Sequence, residues 1–330
     1  MKNIKQLFPG ALKDWIKDQI SRWDSLAFTR PLNELCTFEL DKGTGAWPTL
    51  LIGSIHGLLL FDGQQLRKLF GGSIYGVSTH EGRWYAFQKV EHKYGSIGRL
   101  VSFSIDQQEV KAIQIELDGL DPDVHQIDFT NNILYITDTA NNALRRYRFV
   151  QGSLQEMPAV YPAGLLDQGL NSSNYVHMNS VFSLDDRRYL IYHNHTNKTG
   201  KNSQIAILNS ADKIVDLKET KFGCSHNYVP CGEGAIVCDS QNHAAYLGNS
   251  KILQCTEFTR GVSVTSEDIY IGGSQIVDRV KRGDPSLTGK IYRIDRDSLK
   301  VVDVLQLPSI GNIYELRVVD EKDFGLSNTR

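Results

Sequence analysis

From Leu35 onward, short runs rich in Val, Ile, Leu, Tyr and Phe alternate with clusters of Asp, Asn, Gly and Ser. This is the rhythm of β-strands separated by turns. Ahead of it the pattern differs. Leu12, Trp15, Ile16, Ile20 and Trp23 recur at spacings of three and four, with Lys13, Asp14, Lys17, Asp18 and Arg22 between them. That spacing predicts one amphipathic helix after Pro9-Gly10. Its mixed charges suit a helix that caps the domain or docks a protein partner better than one that lies on a membrane. The chain therefore divides into a helical extension, 1–33, and an all-β domain, 34–330.

Within the β domain one strand start recurs six times. The copies are Ile74-Tyr75-Gly76-Val77, Val124-His125-Gln126-Ile127, Val176-His177-Met178-Asn179, Ser225-His226-Asn227-Tyr228, Thr259-Arg260-Gly261-Val262 and Ile313-Tyr314-Glu315-Leu316. Steps between their second residues are 50, 52, 49, 34 and 54. A second strand ending in a polar turn follows, as at Tyr135–Asp138, Leu190–His193, Ile236–Asp239 and Tyr270–Gly273. Four short strands per repeat of this length predict a single β-propeller of six four-stranded antiparallel blades. The stretch Asn312–Val318 reads as an innermost strand without its blade. Thr49–Ser54, Leu58–Phe61 and Leu66–Phe70 read as outer strands lacking an innermost one. Joining them sews the sixth blade from both ends; seven blades follow only if Cys36–Leu40 starts a blade of its own.

This repeat pattern resembles the broad six-bladed superfamily that includes SMP-30-like lactonases and NHL-repeat proteins. The resemblance covers most of the chain and implies architecture only. The acidic and Asn metal ligands of the lactonases have no residue-by-residue counterpart here, and fold by itself assigns no chemistry.

Composition narrows the function. Lys and Arg number 36 against 38 Asp and Glu, a balance without the basic footprint of a nucleic-acid binder. The short Arg279-Val280-Lys281-Arg282 stretch is the exception and reads as a solvated loop in the last repeat, with a loop leaning over the channel mouth as the alternative. No apolar run reaches the roughly 18 residues of a membrane span. Five cysteines without a small-domain framework, and no basic-then-apolar leader, make the cytoplasm the expected address. Asn171, Asn194 and Asn197 match the glycosylation sequon and carry little weight there. Cys224, Cys231 and Cys238 are seven apart, which fits neither a zinc ribbon nor a redox pair. Dinucleotide, phosphate-loop, metalloprotease and serine-elbow motifs are absent.

The candidate chemistry lies in the repeats. Equivalent positions become neighbours around a propeller channel, so the first ring reads Tyr75, His125, His177, His226, Arg260 and Tyr314. The turns after the second strands give Ser54, Gln88, Asp138, His193, Asp239 and Gly273, with His56, His195, Gln241 and Gln275 two residues further on. His243 follows nearby, whereas His80 and His92 read as turn residues. Three histidines in register suit a divalent transition metal (zinc, iron or manganese), with His125, His177 and His226 as ligands and Asp138 and Asp239 completing or supporting the site. Arg260 suits a bidentate grip on a carboxylate or phosphate, or an ion pair with Asp239 or Glu315. His193, Tyr75 and Tyr314 are the proton-transfer candidates.

The function expected from these residues is a metal-dependent lyase, hydrolase or oxygenase acting on a small polar or acidic substrate. In a metal-free variant, a histidine or tyrosine abstracts a proton beside a carboxylate held by Arg260. The alternative from another class is a non-catalytic scaffold that binds a protein or ligand on its rim.

Overall fold

The computed structural model describes residues 26–319 apart from 38, 39, 42, 44, 93, 94, 233 and 285. The helix expected over 12–23 lies outside the described residues. Blade 1 contains β1 (Glu34–Leu35), β2 (Leu50–Ser54), β3 (Gly57–Phe61) and β4 (Leu66–Phe70). Blade 2 is β5 (Ser73–His80), β6 (Arg83–His92), β7 (Gly95–Asp106) and β8 (Glu109–Leu120). Blade 3 is β9 (Val124–Thr130), β10 (Ile133–Asp138), β11 (Ala143–Val150) and β12 (Ser153–Val160). Blade 4 is β13 (Met178–Leu184), β14 (Arg187–Tyr192), β15 (Gln204–Leu208) and β16 (Ile214–Glu219). Blade 5 is β17 (His226–Cys231), β18 (Gly234–Asp239), β19 (Ala244–Leu247) and β20 (Ser250–Gln254). Blade 6 is β21 (Phe258–Val264), β22 (Asp268–Ser274), β23 (Gly289–Asp295) and β24 (Val301–Leu307).

The last strand, β25 (Ile313–Val318), returns to blade 1, whose order is β1-β4-β3-β2-β25. It pairs antiparallel with β2 from Leu50↔Val318 to Ser54↔Ile313. Six blades and the two-ended closure are therefore as the repeats predict. The segment near Cys36 forms no seventh blade. Glu34 and Leu35 pair with Lys68 and Arg67, and the Cys36 N–H donates to Leu66 O, so this segment lengthens blade 1 at its outer edge.

The innermost strands β5, β9, β13, β17, β21 and β25 pack side by side in a closed ring around the channel. Their neighbours come close enough to demand small residues. A Cβ on Gly76 would sit 2.7 Å from the Ile127 backbone nitrogen in the next blade. The apolar core lies between blades rather than at one centre. Leu50, Ile52 and Phe61 of blade 1, for example, pack with Tyr270, Ile291 and Leu305 of blade 6. Strands buried on both faces need no polar alternation, which is why Gly57–Phe61 reads as an unbroken apolar run. Among the described residues, no helix is long and apolar enough to cross a membrane.

Candidate functional site

One backbone device shapes the channel mouth. In all six blades the register between innermost and second strand shifts at the mouth end of the innermost strand. The residues left out of the ladder are Tyr75, His125 with Gln126, Asn179, Asn227, Arg260 with Gly261, and Tyr314. A bulge bends the strand and re-aims its side chains. Gly261 takes φ 84°, a left-handed value that glycine adopts without strain.

The structure brings the expected first ring together. Tyr314 stacks on Tyr75 at 4.3 Å between ring centroids, and Tyr75 lies 5.7 Å from His125. The series continues from His125 to His177 (4.9 Å), His177 to His193 (4.7 Å) and His193 to His226 (5.2 Å). His195 joins it, 4.2 Å from His177 and 5.2 Å from His193. Five histidines thus form an arc at one mouth. His56 and His243 make no ring contact with them among the described residues. His56 lies against Gly311, and His243 sits at the far end of its turn, where its carbonyl accepts from Cys255. His80 stacks on Phe129, away from the arc.

His177 arrives by a different route from the one its repeat position implies. His226 pairs with Cys238 just before the bulged Asn227. The residue in that position of blade 4 is Met178, paired with Tyr192 before the bulged Asn179. Met178 is buried in the core. His177 stands one residue earlier and turns through φ 49°, an uncommon value for a non-glycine residue.

Asp138 and Asp239 do not complete a ligand set, because their own turns occupy their carboxylates. Asp138 accepts from Asn141 Nδ2 (2.8 Å) and Arg145 Nε (2.7 Å). Asp239 accepts from the Gly223 N–H (2.9 Å) and from Asn242 Nδ2 on both oxygens (3.1 and 2.9 Å). Blade 4 places His193 where blades 3 and 5 place these aspartates, directly after the second strand's last apolar pairs. The contacts of His125, His177 and His226 run in series rather than around one point. Among the described residues, no three or more His, Cys, Asp or Glu side chains are grouped so as to hold a metal ion.

Arg260 forms neither of the ion pairs its sequence suggested. It is 7% exposed and, among the described residues, donates one hydrogen bond, from Nη2 to His125 O at 3.3 Å. Its guanidinium lies 4.8 Å over the Tyr314 ring and 5.5 Å from that of Tyr75. Burial lowers its pKa; the phenols and Glu315 act in the opposite sense. Glu315 itself is held by Arg317 (2.5 Å) and by Gln126 Nε2 (3.1 Å). Glu315 therefore has its own cation and leaves Arg260 without a carboxylate partner among the described residues, and Arg282 adds to the positive field felt by Arg260 and Tyr314.

Three imidazoles around this cation, His177, His193 and His226, are held towards the neutral form. Burial, then the neighbouring histidines and Arg260, hold His177 well below the ordinary histidine range. His193 is pushed down to about 3 by burial, His195 and Arg260. His226 is 5% exposed and is likewise held well below its usual value, by burial first and Arg260 second. Burial raises the Tyr314 phenol, so it stays protonated and serves as a platform for Arg260 rather than as a base.

Two residues of the site escaped the sequence reading. Thr139 Oγ1 lies 2.9 Å from His125 Nδ1, and Ser240 Oγ lies 2.9 Å from His226 Nδ1. Each opens a 3-10 turn, Thr139–Asn141 or Ser240–Asn242. The signal that could have found them is a recurring tetrad, Asp138-Thr139-Ala140-Asn141 and Asp239-Ser240-Gln241-Asn242.

The fold and mouth define a six-bladed β-propeller. Its chain is similar to one in a crystal structure of a nidogen/laminin complex, with a TM-score of 0.59 and 10% identity over 83% of this chain and 99% of that one. A candidate 6-phosphogluconolactonase from Bacteroides uniformis superposes with a TM-score of 0.49 and 9% identity over 78% of this chain and 81% of that one. At such identity the first likeness shows the fold alone. Neither a protein-family model nor a curated protein matches the chain.

Proposed function

We propose that the protein binds a small anionic molecule, a carboxylate or phosphate, at the channel mouth, with Arg260 as its anchor and the neutral histidines as partners in acid–base chemistry of the hydrolase or lyase type. One observation carries this reading: a buried guanidinium without a carboxylate partner among the described residues. Desolvating an ion costs several kcal/mol. Two ring faces contribute on the order of 1–2 kcal/mol each at most, and a single long hydrogen bond adds about 1 kcal/mol. An anion supplies the remainder through a fork that matches the guanidinium.

The same electrostatics give the binding a direction with pH. An anion beside the imidazoles favours their protonated forms, so their depressed pKa values rise on binding and protons are taken up. Affinity for small carboxylates is expected to tighten as pH falls below about 6.5 towards the depressed values of these histidines. Calorimetry in buffers of different ionisation heat measures that uptake.

Arg260→Lys is the decisive variant, since lysine keeps the charge and loses the planar fork. Anion affinity should fall by about tenfold or more, a loss of roughly 1.4 kcal/mol, while the melting temperature stays nearly unchanged. Unaltered affinity would sink the anchor. Binding and turnover separate at the next step: a carboxylate or phosphate that binds but is never converted makes the mouth a receptor site. A metal held by the histidines, present stoichiometrically in purified protein and lost in His177→Ala, would replace this reading with a metal-centred one.

A further inference from the structure

We infer that Thr139 and Ser240 are positioning residues that set the tautomers of His125 and His226, and that the anion bound at the mouth is a hydroxy acid: its carboxylate meets Arg260 and its hydroxyls donate to these two imidazoles. The inference rests on Arg260 being the anion anchor and adds the ligand's chemical class.

The tautomers follow from counting protons. A hydroxyl has one proton to give. Thr139 Oγ1 gives it to Met178 O at 2.5 Å, because a carbonyl can only accept. The 2.9 Å contact between Thr139 Oγ1 and His125 Nδ1 is then an Nδ1–H donating to the hydroxyl oxygen. Asp123 O, 3.3 Å from the same nitrogen, asks for the same proton. Blade 5 repeats the arrangement. Ser240 Oγ donates to Thr259 O at 2.6 Å, so His226 Nδ1–H donates to Ser240 Oγ at 2.9 Å. Each ring thus carries a proton on Nδ1, and in its uncharged form Nε2 is the acceptor.

His193 has the opposite polarity. Its Nδ1 accepts from the His195 backbone N–H at 3.1 Å, so its own proton sits on Nε2. The arc thus offers two acceptors, with a donor between them, beside the cation. An unsubstituted carboxylate or a phosphomonoester dianion has no proton for the acceptors and inorganic phosphate dianion has one, whereas a hydroxylated chain supplies several. His125 and His226 are separated along the arc by His177 and His193. A run of hydroxylated carbons therefore fits them better than a single atom.

Threonate and butanoate, equal in carbon number and charge, test this by calorimetry. Threonate should bind the full-length protein roughly tenfold more tightly, the gain from one or two neutral hydrogen bonds. In the Thr139→Val, Ser240→Ala double variant that preference should shrink to within about twofold, and Thr139→Ser and Ser240→Thr should keep it. Long-range proton–nitrogen NMR of the wild-type protein reads the tautomers directly, even if the double variant does not fold. His125 and His226 should show unprotonated Nε2, and His193 unprotonated Nδ1. Protonated Nε2 on His125 and His226, or equal binding of both acids with both still dependent on Arg260, overturns the inference and leaves the anchor standing. Binding of both acids that is indifferent to Arg260→Lys overturns the anchor as well.

Discussion

A cation that needs an anion and imidazoles that resist protonation meet at the channel mouth, and acid pH strains the imidazoles. His193 has a folded pKa of about 3 against 6.5 for the ordinary side chain. The unfolded chain therefore binds more protons between those values. Stability is fully present above pH 6.5 and is lost as pH falls towards 3. His177 and His226 act in the same sense. Asp128 opposes them: burial raises it to about 6, so its contribution is greatest at low pH and is lost as pH rises through 6. Urea unfolding of His193→Gln across pH 4–6.5 should show a shallower pH slope than wild type. The difference expected is up to about 1.4 kcal/mol per pH unit, one proton's worth. An unchanged slope would mean that His193 is protonated in the folded protein.

At the scale of elements, the bulge and the turn do the positioning. The bulges turn Tyr75, His125, Arg260 and Tyr314 out of the ladder, and the Asp-Thr and Asp-Ser turns hold the hydroxyls that orient two histidines. Asp239→Ala should leave the Gly223 N–H and the Asn242 amide without their acceptor. A loss of about 1–3 kcal/mol in a denaturant titration is expected, with looser threonate binding because Ser240 begins that turn. The repeat alignment set Tyr75, His125, Arg260 and Tyr314 at the bulge, because equivalent strands repeat it. It set His226 one residue before the bulge and His177 two, since a left-handed turn before a strand leaves no mark on hydrophobic periodicity. Asp138 and Asp239 were read as site carboxylates for a related reason: a capping aspartate and a ligand aspartate look alike until their hydrogen bonds are seen.

For the whole molecule, closure is the critical event. Five residue pairs between β2 and β25 join the two ends of the described chain, and Leu316 and Val318 add their side chains to the core between blades 1 and 6. A chain ending at Gly311 would lose that strand and leave β2 with an unpaired edge. Cooperative thermal unfolding should disappear, as judged by circular dichroism and calorimetry. A truncated protein melting like the full chain would refute closure by β25.

The sequence by itself determined the strand rhythm, the number of repeats, the two-ended blade and the identity of the ring. These depend on which residues recur at which spacing, and burial between blades imposes that recurrence locally. Only the tertiary structure decided which ring members are free to act. Asp138 and Glu315 are paired with Arg145 and Arg317, and Asp239 accepts from the Asn242 amide, partners near in sequence whose placement depends on how each turn closes. Arg260 is left with two tyrosine faces from other blades and a carbonyl 135 residues away. Charge balance is a property of neighbours in space, and around a closed ring those neighbours come from opposite ends of the chain.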